Sequence, residues 1–245
     1  YQDYNDGLYR PLSPTIFNLL YSIFGDNPAV FHLVNILFYA LLVILIYKLF
    51  TRFFPEQKQF VFWGVLLFAV HPVHTEVVAN VKSLDEILAL LMGVLACYFT
   101  LGFKKKAGDV VWVFLFYTLA LFAKESAISF MLLVPVFYLF GSEQVNWKKG
   151  LMLFVGTIII SAVWYIWHES VIKNMPQEVD SGLFSATSNT IIGIEDPVQR
   201  FITGLWLITK YFLKLIWPWP LYGDYSFNTI TPVSFASLRF LGTLG

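Results

Sequence analysis

The sequence predicts an all-α, polytopic helical membrane protein, and three observations carry that prediction. Of its 245 residues, 58% are apolar and 19% aromatic but only 13% charged, where a soluble domain averages roughly a quarter charged. Sixteen Lys and Arg with sixteen Asp and Glu cannot clothe a surface that faces water. The apolar residues also come in long blocks: segment 29–50 holds a single ionised residue, Lys48. About 20 such residues in a helix cross a bilayer core of roughly 30 Å. Finally, the period-two alternation over about ten residues that marks a membrane barrel is absent.

The net charge of zero gives no bulk attraction to nucleic acid or to an anionic surface. Cys97 stands alone, which excludes an intrachain disulfide and the usual cysteine metal spacings. Tyr1 follows no initiator Met or basic-then-apolar leader, and an apolar segment is opening at LRFLGTLG. The chain therefore reads as an internal piece of a longer polytopic protein, a single transmembrane domain over 1–245.

Apolar stretches at 29–50, 60–78, 87–103, 110–123, 126–140, 151–168 and 198–217 predict seven passes, with a partial eighth opening near Pro232. In the leading segment Asp3, Asp6 and Arg10 lie just outside the membrane, and Pro11 and Pro14 interrupt the chain. Asp26, Asn27 and Pro28 form a turn into the first full span, where His32 and Asn35 are interhelical hydrogen bonders. Pro72 ends the helix of 60–71, and the next helix begins after Ser83 with Asp85 and Glu86 in its first turn, where the helix dipole favours carboxylates.

The 14 residues of 110–123 reach only about 21 Å. They meet 126–140 at Ala-Lys-Glu-Ser (123–126), so either the bilayer thins there or the turn sits in a water-filled cavity. The segment after 217, WPWPLYGDYSF, could be an inner loop or a re-entrant turn, and its side is open.

Lys and Arg in short loops set orientation. Lys48, Arg52, Lys58, Lys104, Lys105, Lys106, Lys148 and Lys149 mark the first, third and fifth connections as cytoplasmic. The alternate loops carry Arg10, Lys82, Lys124 and Lys173, and loop 169–196 holds Glu169, Glu178, Asp180, Glu195 and Asp196. These belong on the outer face, and chemistry is expected there.

Ionisable groups at membrane depth are costly and mark functional sites. One group is His71, His74, Glu76, Lys82, Asp85 and Glu86, gathered at one mouth. His71, His74 and Glu76 could chelate a divalent metal, but their spacing matches no standard signature. A hydrogen-bonded cluster that positions a substrate fits better, so no metal ligand or other cofactor is assigned. Lys124 and Glu125 are adjacent, point about 100° apart on a helix, and so require separate partners; Lys82 and Arg10 are both open to Glu125. In 198–217, Arg200, Lys210 and Lys214 share an arc of about 80° at helical spacing. They either snorkel to the inner interface or hold the phosphate of a lipid carrier.

YRPL at 9–12, Asn-Pro followed by HLVN within 27–35, HPVHTEVV at 71–78, DEIL at 85–88, KES at 124–126 and WPWPLYGDYS at 217–226 occur in that order. Together they resemble the membrane portion of the transmembrane and tetratricopeptide repeat-containing O-mannosyltransferases and their bacterial relatives. That family belongs to the GT-C class of polyprenyl-phosphate-sugar glycosyltransferases. The resemblance implies a GT-C-like fold and transfer of a sugar, such as mannose, from a polyprenyl phosphate to a hydroxyl acceptor. The acceptor would be a Ser or Thr of an exported protein, or a glycan. A carboxylate would act as general base while cations stabilise the departing phosphate.

The acidic pair most often credited with catalysis in such enzymes precedes the YRPL equivalent, upstream of Tyr1, and is not transferred to Asp3 or Asp6. The acidic residue that opens the helix after the second outer loop corresponds to Asp85, with Glu86 beside it. The first transmembrane helix and the tetratricopeptide repeats of the family have no counterpart within 1–245, so this piece alone is expected to be inactive.

The expected site therefore has Asp85, helped by Glu76, as its catalytic carboxylates. Arg10, Lys124, Lys210 and Lys214 would anchor the carrier phosphate, while His71, His74, Glu86 and Glu125 contact substrate. The membrane would be a bacterial inner membrane or the endoplasmic reticulum, with the site on its periplasmic or lumenal face. A transporter or flippase for a lipid-linked or anionic solute would also bury charges, but it predicts matched broken helices in inverted halves. No such pairing is present, although Pro72 and Pro135 interrupt apolar runs. A non-catalytic membrane scaffold would need the buried charges only to pair with one another.

Overall fold

The computed structural model describes residues 9–102, 108–141, 146–174, 191, 194–221 and 232–233, and all regular structure among them is helical. Asp3, Asp6, Lys104 to Lys106, Glu178, Asp180 and nearly all of 222–245 lie outside the described residues.

Two compact units divide the chain, 1–175 and 176–245. In the first, α1 spans Leu12–Phe24 directly after Pro11. Pro14 does not break it, because the first-turn N–H groups of a helix have no partner to lose. Gly25, at φ 66°, ends the helix and returns its N–H to the Tyr21 carbonyl. Asn27 caps α2 (Pro28–Phe53) by accepting from the Ala29 N–H, with Pro28 at the first helical position.

Helix α3 (Lys58–Val70) stops before Pro72, and a short turn at 72–74, α4 (Thr75–Ala79) and a turn at 81–83 lead to α5 (Leu84–Gly102). Then come α6 (Asp109–Ala123), a 3-10 turn at 125–129, α7 (Phe130–Phe140) and α8 (Trp147–Lys173), which is capped by Asn146. In the second unit Asp196 caps α9 (Pro197–Ile216).

Helix α5 is the centre of the first unit and packs on α2, α6 and α7, while α8 closes against α6 and α7. Two-thirds of its apolar window (67%) is buried, against 17% for α2 and 28% for α8. The outer helices thus turn Leu37, Ile44, Ile159 and Ile166 outward, more than half exposed, which suits lipid as the solvent. A Cβ on Gly93 would clash with the ring carbons of Phe130, so glycine lets α5 and α7 approach this closely.

By length and apolarity α2, 81–102 and α8 can each cross a membrane, and the pair 55–70 and 72–79, bent by 46°, makes a fourth crossing if it is one span. That is fewer than the seven passes expected. Helices α1, α6 and the 125–140 segment are too short for a full crossing, and three cations reduce the apolarity of α9.

Candidate active site

The start of α5 brings Asp85 and Glu86 to the end of the bundle where α6 gives way to the 125–129 turn. Lys124 adopts an extended backbone, φ −160° and ψ 146°, which directs consecutive side chains to opposite sides. Lys124 therefore turns to α5, where it pairs with Glu86 and lies 3.8 Å from Asp85 Oδ2. Glu125 turns instead to Arg10, which precedes α1. The separate partners required for this adjacent pair are present, and Arg10 is the cation on Glu125.

Arg10 joins the two halves of the cluster. Its Nη1 donates to Asp85 Oδ2 at 2.8 Å, while Nε donates to Glu125 Oε2 at 2.9 Å and Nη2 lies 2.7 Å from the same oxygen. A planar guanidinium makes both contacts with separate nitrogens at fixed angles, a fork that an ammonium does not reproduce. Burial alone would lower the Arg10 pKa, but hydrogen bonds and charge from Glu125 and then Asp85 outweigh it and raise it. Burial likewise would raise Glu125, yet the Arg10 hydrogen bonds, aided by a backbone N–H, the charge of Arg10 and that of His168, hold it below its usual value.

Asp85 is 7% exposed. Its Oδ2 faces two cations and its Oδ1 accepts from the Glu86 N–H at 2.8 Å. Both oxygens are thus committed, and the geometry suits Asp85 to hold Arg10 and Lys124 in place. Glu76 does not join it: this residue sits exposed on α4 and makes no ion pair with the cluster, because the bend at Pro72 gives α4 its own direction.

His71 and His74 serve the same bend. The His71 ring accepts from the Val73 N–H, and His74 Nδ1 lies 2.9 Å from the Phe68 carbonyl and 3.0 Å from the Tyr39 hydroxyl. His74 also borders a cavity of about 440 Å³ shared with Tyr39, Glu86, Ser126 and Phe130. Buried Asn35 donates to the Asn80 carbonyl at 2.9 Å, tying α2 to the turn before α5. Among the described residues no group of three or more His, Cys, Asp or Glu is gathered as a metal site.

In the second unit the three cations of α9 have local partners. Arg200 donates to the Ile194 carbonyl, Lys210 lies 5.3 Å from the Trp206 ring centroid, and Lys214 bonds the Pro220 carbonyl.

Sequence reasoning missed His168. It lies at the end of the apolar stretch 151–168, 7% exposed, with Nε2 3.7 Å from Glu125 Oε1. Trp164, one turn before, packs its ring 4.8 Å from the imidazole, and neither Trp164 Nε1 nor His168 Nε2 has a hydrogen-bond partner. The signal was the spacing of Thr157, Ser161, Trp164 and His168, a polar stripe at intervals of four, three and four along one face of α8.

The sequence profile of the family described as dolichyl-phosphate-mannose-protein mannosyltransferase matches residues 10–167. The chain belongs to that family. The matched region contains every charged member of the cluster except His168. Among curated relatives, Protein O-mannosyl-transferase TMTC2 of Mus musculus is 28% identical over 249 residues, covering 91% of this chain and 28% of its own length. Protein O-mannosyl-transferase TMTC1 of Homo sapiens is 38% identical over 88 residues, 36% of this chain and 10% of its own. Protein O-mannosyl-transferase F38B6.6 of Caenorhabditis elegans is 24% identical over 234 residues, 92% and 31% respectively. The chain thus spans less than a third of the length of these relatives. No solved structure matches it.

Proposed function

We propose that the protein is an integral membrane glycosyltransferase that moves mannose from a polyprenyl-phosphate carrier to a hydroxyl acceptor, a protein Ser or Thr, on the periplasmic or lumenal face. The observation that carries this reading is the pairing of Arg10 and Lys124 with Asp85, Glu86 and Glu125 at one end of the helical bundle, in a chain of the mannosyltransferase family. Family membership favours lipid-linked mannose as donor, and the cations supply what its departure needs.

Breaking the sugar–phosphate bond leaves a phosphate whose charge grows in the transition state. Arg10 and Lys124, already fixed by carboxylates, offer preorganised donors to that charge where water is scarce. Asp85, Glu86 and Glu125 then act by position, holding the cations at set distances and directions. In this reading α6 and α7, where the bilayer is locally thinned, and α9 make the remaining three passes of the seven.

The test is transfer of radiolabelled mannose from polyprenyl phosphate to a Ser/Thr peptide by the full-length protein in liposomes. Asp85→Asn, which keeps size and removes charge, should abolish transfer while expression and folding persist. Full activity in that variant would remove Asp85 from the mechanism. Movement of the lipid across the bilayer without transfer would replace the enzyme with a transporter.

A further inference from the structure

Helix α3 ends at Val70, and Pro72 cannot supply an N–H to its last turn. Of its last-turn carbonyls, Phe68, which also takes the His71 N–H at 3.3 Å, and Ala69 are met by side chains from outside the helix. The Tyr39 hydroxyl donates to the Ala69 carbonyl at 3.0 Å, and His74 Nδ1 lies 2.9 Å from the Phe68 carbonyl. A carbonyl oxygen only accepts, so Nδ1 carries the proton of the neutral imidazole. Nε2 is then left as a lone pair. Anchoring the end of α3 accounts for Nδ1 and leaves Nε2 unused, since the His74 ring makes no other hydrogen bond among the described residues.

His74 borders the 440 Å³ cavity, whose walls are otherwise mostly apolar, with Leu42, Val77, Ile87 and Leu90 among them. Its other titratable members are Tyr39, whose hydroxyl is given to the Ala69 carbonyl, and Glu86, which is paired with Lys124. No cation is among the described residues that border the cavity, so a phosphate has nothing to pair with among them. An apolar group that carries one hydroxyl matches both the walls and the free acceptor.

We propose that this cavity is the acceptor subsite, in which the hydroxyl of a Thr or Ser side chain donates a hydrogen bond to His74 Nε2. This rests on the transfer reading above and adds where the acceptor binds and what aligns it. The carrier phosphate belongs at Arg10 and Lys124, across Glu86 from the cavity.

Two substitutions separate this role from anchoring, measured on the full-length protein. His74→Asn keeps an N–H at the position of Nδ1 and loses the distal acceptor; His74→Gln places an amide oxygen at the reach of Nε2 and loses the anchor. His74→Asn should raise the KM for a Thr peptide roughly tenfold, the loss of one hydrogen bond, with donor KM and melting temperature unchanged, and His74→Gln should recover part of the loss. A wild-type acceptor KM in His74→Asn overturns the proposal. So does a rise confined to the donor KM, which would assign the hydroxyl to the sugar.

If the protein transfers nothing, the transfer reading fails, and 15N-histidine NMR still decides this one. His74 should show a protonated Nδ1 and a bare Nε2, whose signal moves with a Thr peptide and stays put with its Val analogue. A protonated Nε2, or no response to the Thr peptide, removes the subsite.

Discussion

Thr157 on α8 donates its hydroxyl to the Met131 carbonyl on α7 at 3.0 Å. Met131 lies four residues before Pro135, the proline inside α7, so this is the carbonyl that the proline leaves without its helical N–H. The same hydroxyl lies 2.9 Å from the Phe154 carbonyl of its own helix. In lipid no water can take its place. Thr157→Val, which keeps the shape, should cost about 1–2 kcal/mol in a detergent unfolding titration, and Thr157→Ser should cost much less. Adding Pro135→Ala to Thr157→Val should restore part of the loss by supplying the missing N–H. A strictly additive cycle would show that the two sites do not share this carbonyl.

Arg10 bridges Asp85 and Glu125 with separate nitrogens. Lysine carries a compact point charge without the rigid fork that meets both carboxylates with separate nitrogens. Arg10→Lys should therefore behave nearly as badly as Arg10→Ala in mannose transfer, each losing at least tenfold, the scale of a single lost charged hydrogen bond. Both should also lower the melting temperature. Near-normal transfer by Arg10→Lys would mean that charge alone, without the fork, is what the cluster uses.

Glu125 titrates below its usual 4.5 in the folded protein. A carboxyl with a depressed folded pKa stabilises the protein fully above the unfolded value, and the contribution disappears as pH falls through the folded one. Stability should thus be level from pH 7 to about 5 as far as this group is concerned, then fall as the Arg10 pairing is lost. Glu125→Gln should start lower at neutral pH and show a shallower acid decline in thermal melts. An identical acid limb in wild type and variant would remove Glu125 as its source.

Much of this was legible in the sequence because it depends on local physics. Blocks of apolar residues gave the helices, Ser83 and Pro72 placed the start of α5 and the end of α3, and adjacency alone separated the partners of Lys124 and Glu125. Arg10 could be named as one candidate for Glu125 because both fell on one side by the charge rule, but the choice over Lys82 needed α1 laid against α5 and α6. The absence of Glu76 from the ion-pair cluster was not legible, since sequence proximity to Asp85 says nothing of the 46° bend between α3 and the 72–79 segment that carries Glu76. The number of crossings was less legible for a related reason: a short apolar helix such as α7, 11 residues long, has the composition of a span without its length. His168 was hidden by its apolar neighbours, which made the residue read as the last position of a span.

His168 yields the remaining prediction. Its Nε2 is buried 3.7 Å from Glu125 Oε1 without a hydrogen bond, and its charge is one of the influences that lower the Glu125 pKa, behind the Arg10 hydrogen bonds. Replacing it by Phe fills similar space and removes a buried polar atom, so stability near neutral pH should change by less than about 1 kcal/mol. The acid limb should nevertheless move. With one of the influences that depress Glu125 gone, its folded pKa rises toward 4.5, so the loss still begins near the unfolded value but is smaller and is complete at a higher pH than in wild type. Combining His168→Phe with Glu125→Gln should show no such shift, because the titrating carboxyl is then absent. A His168→Phe acid limb that overlays wild type would make His168 a packing residue beside Trp164 and leave Arg10 alone in control of Glu125.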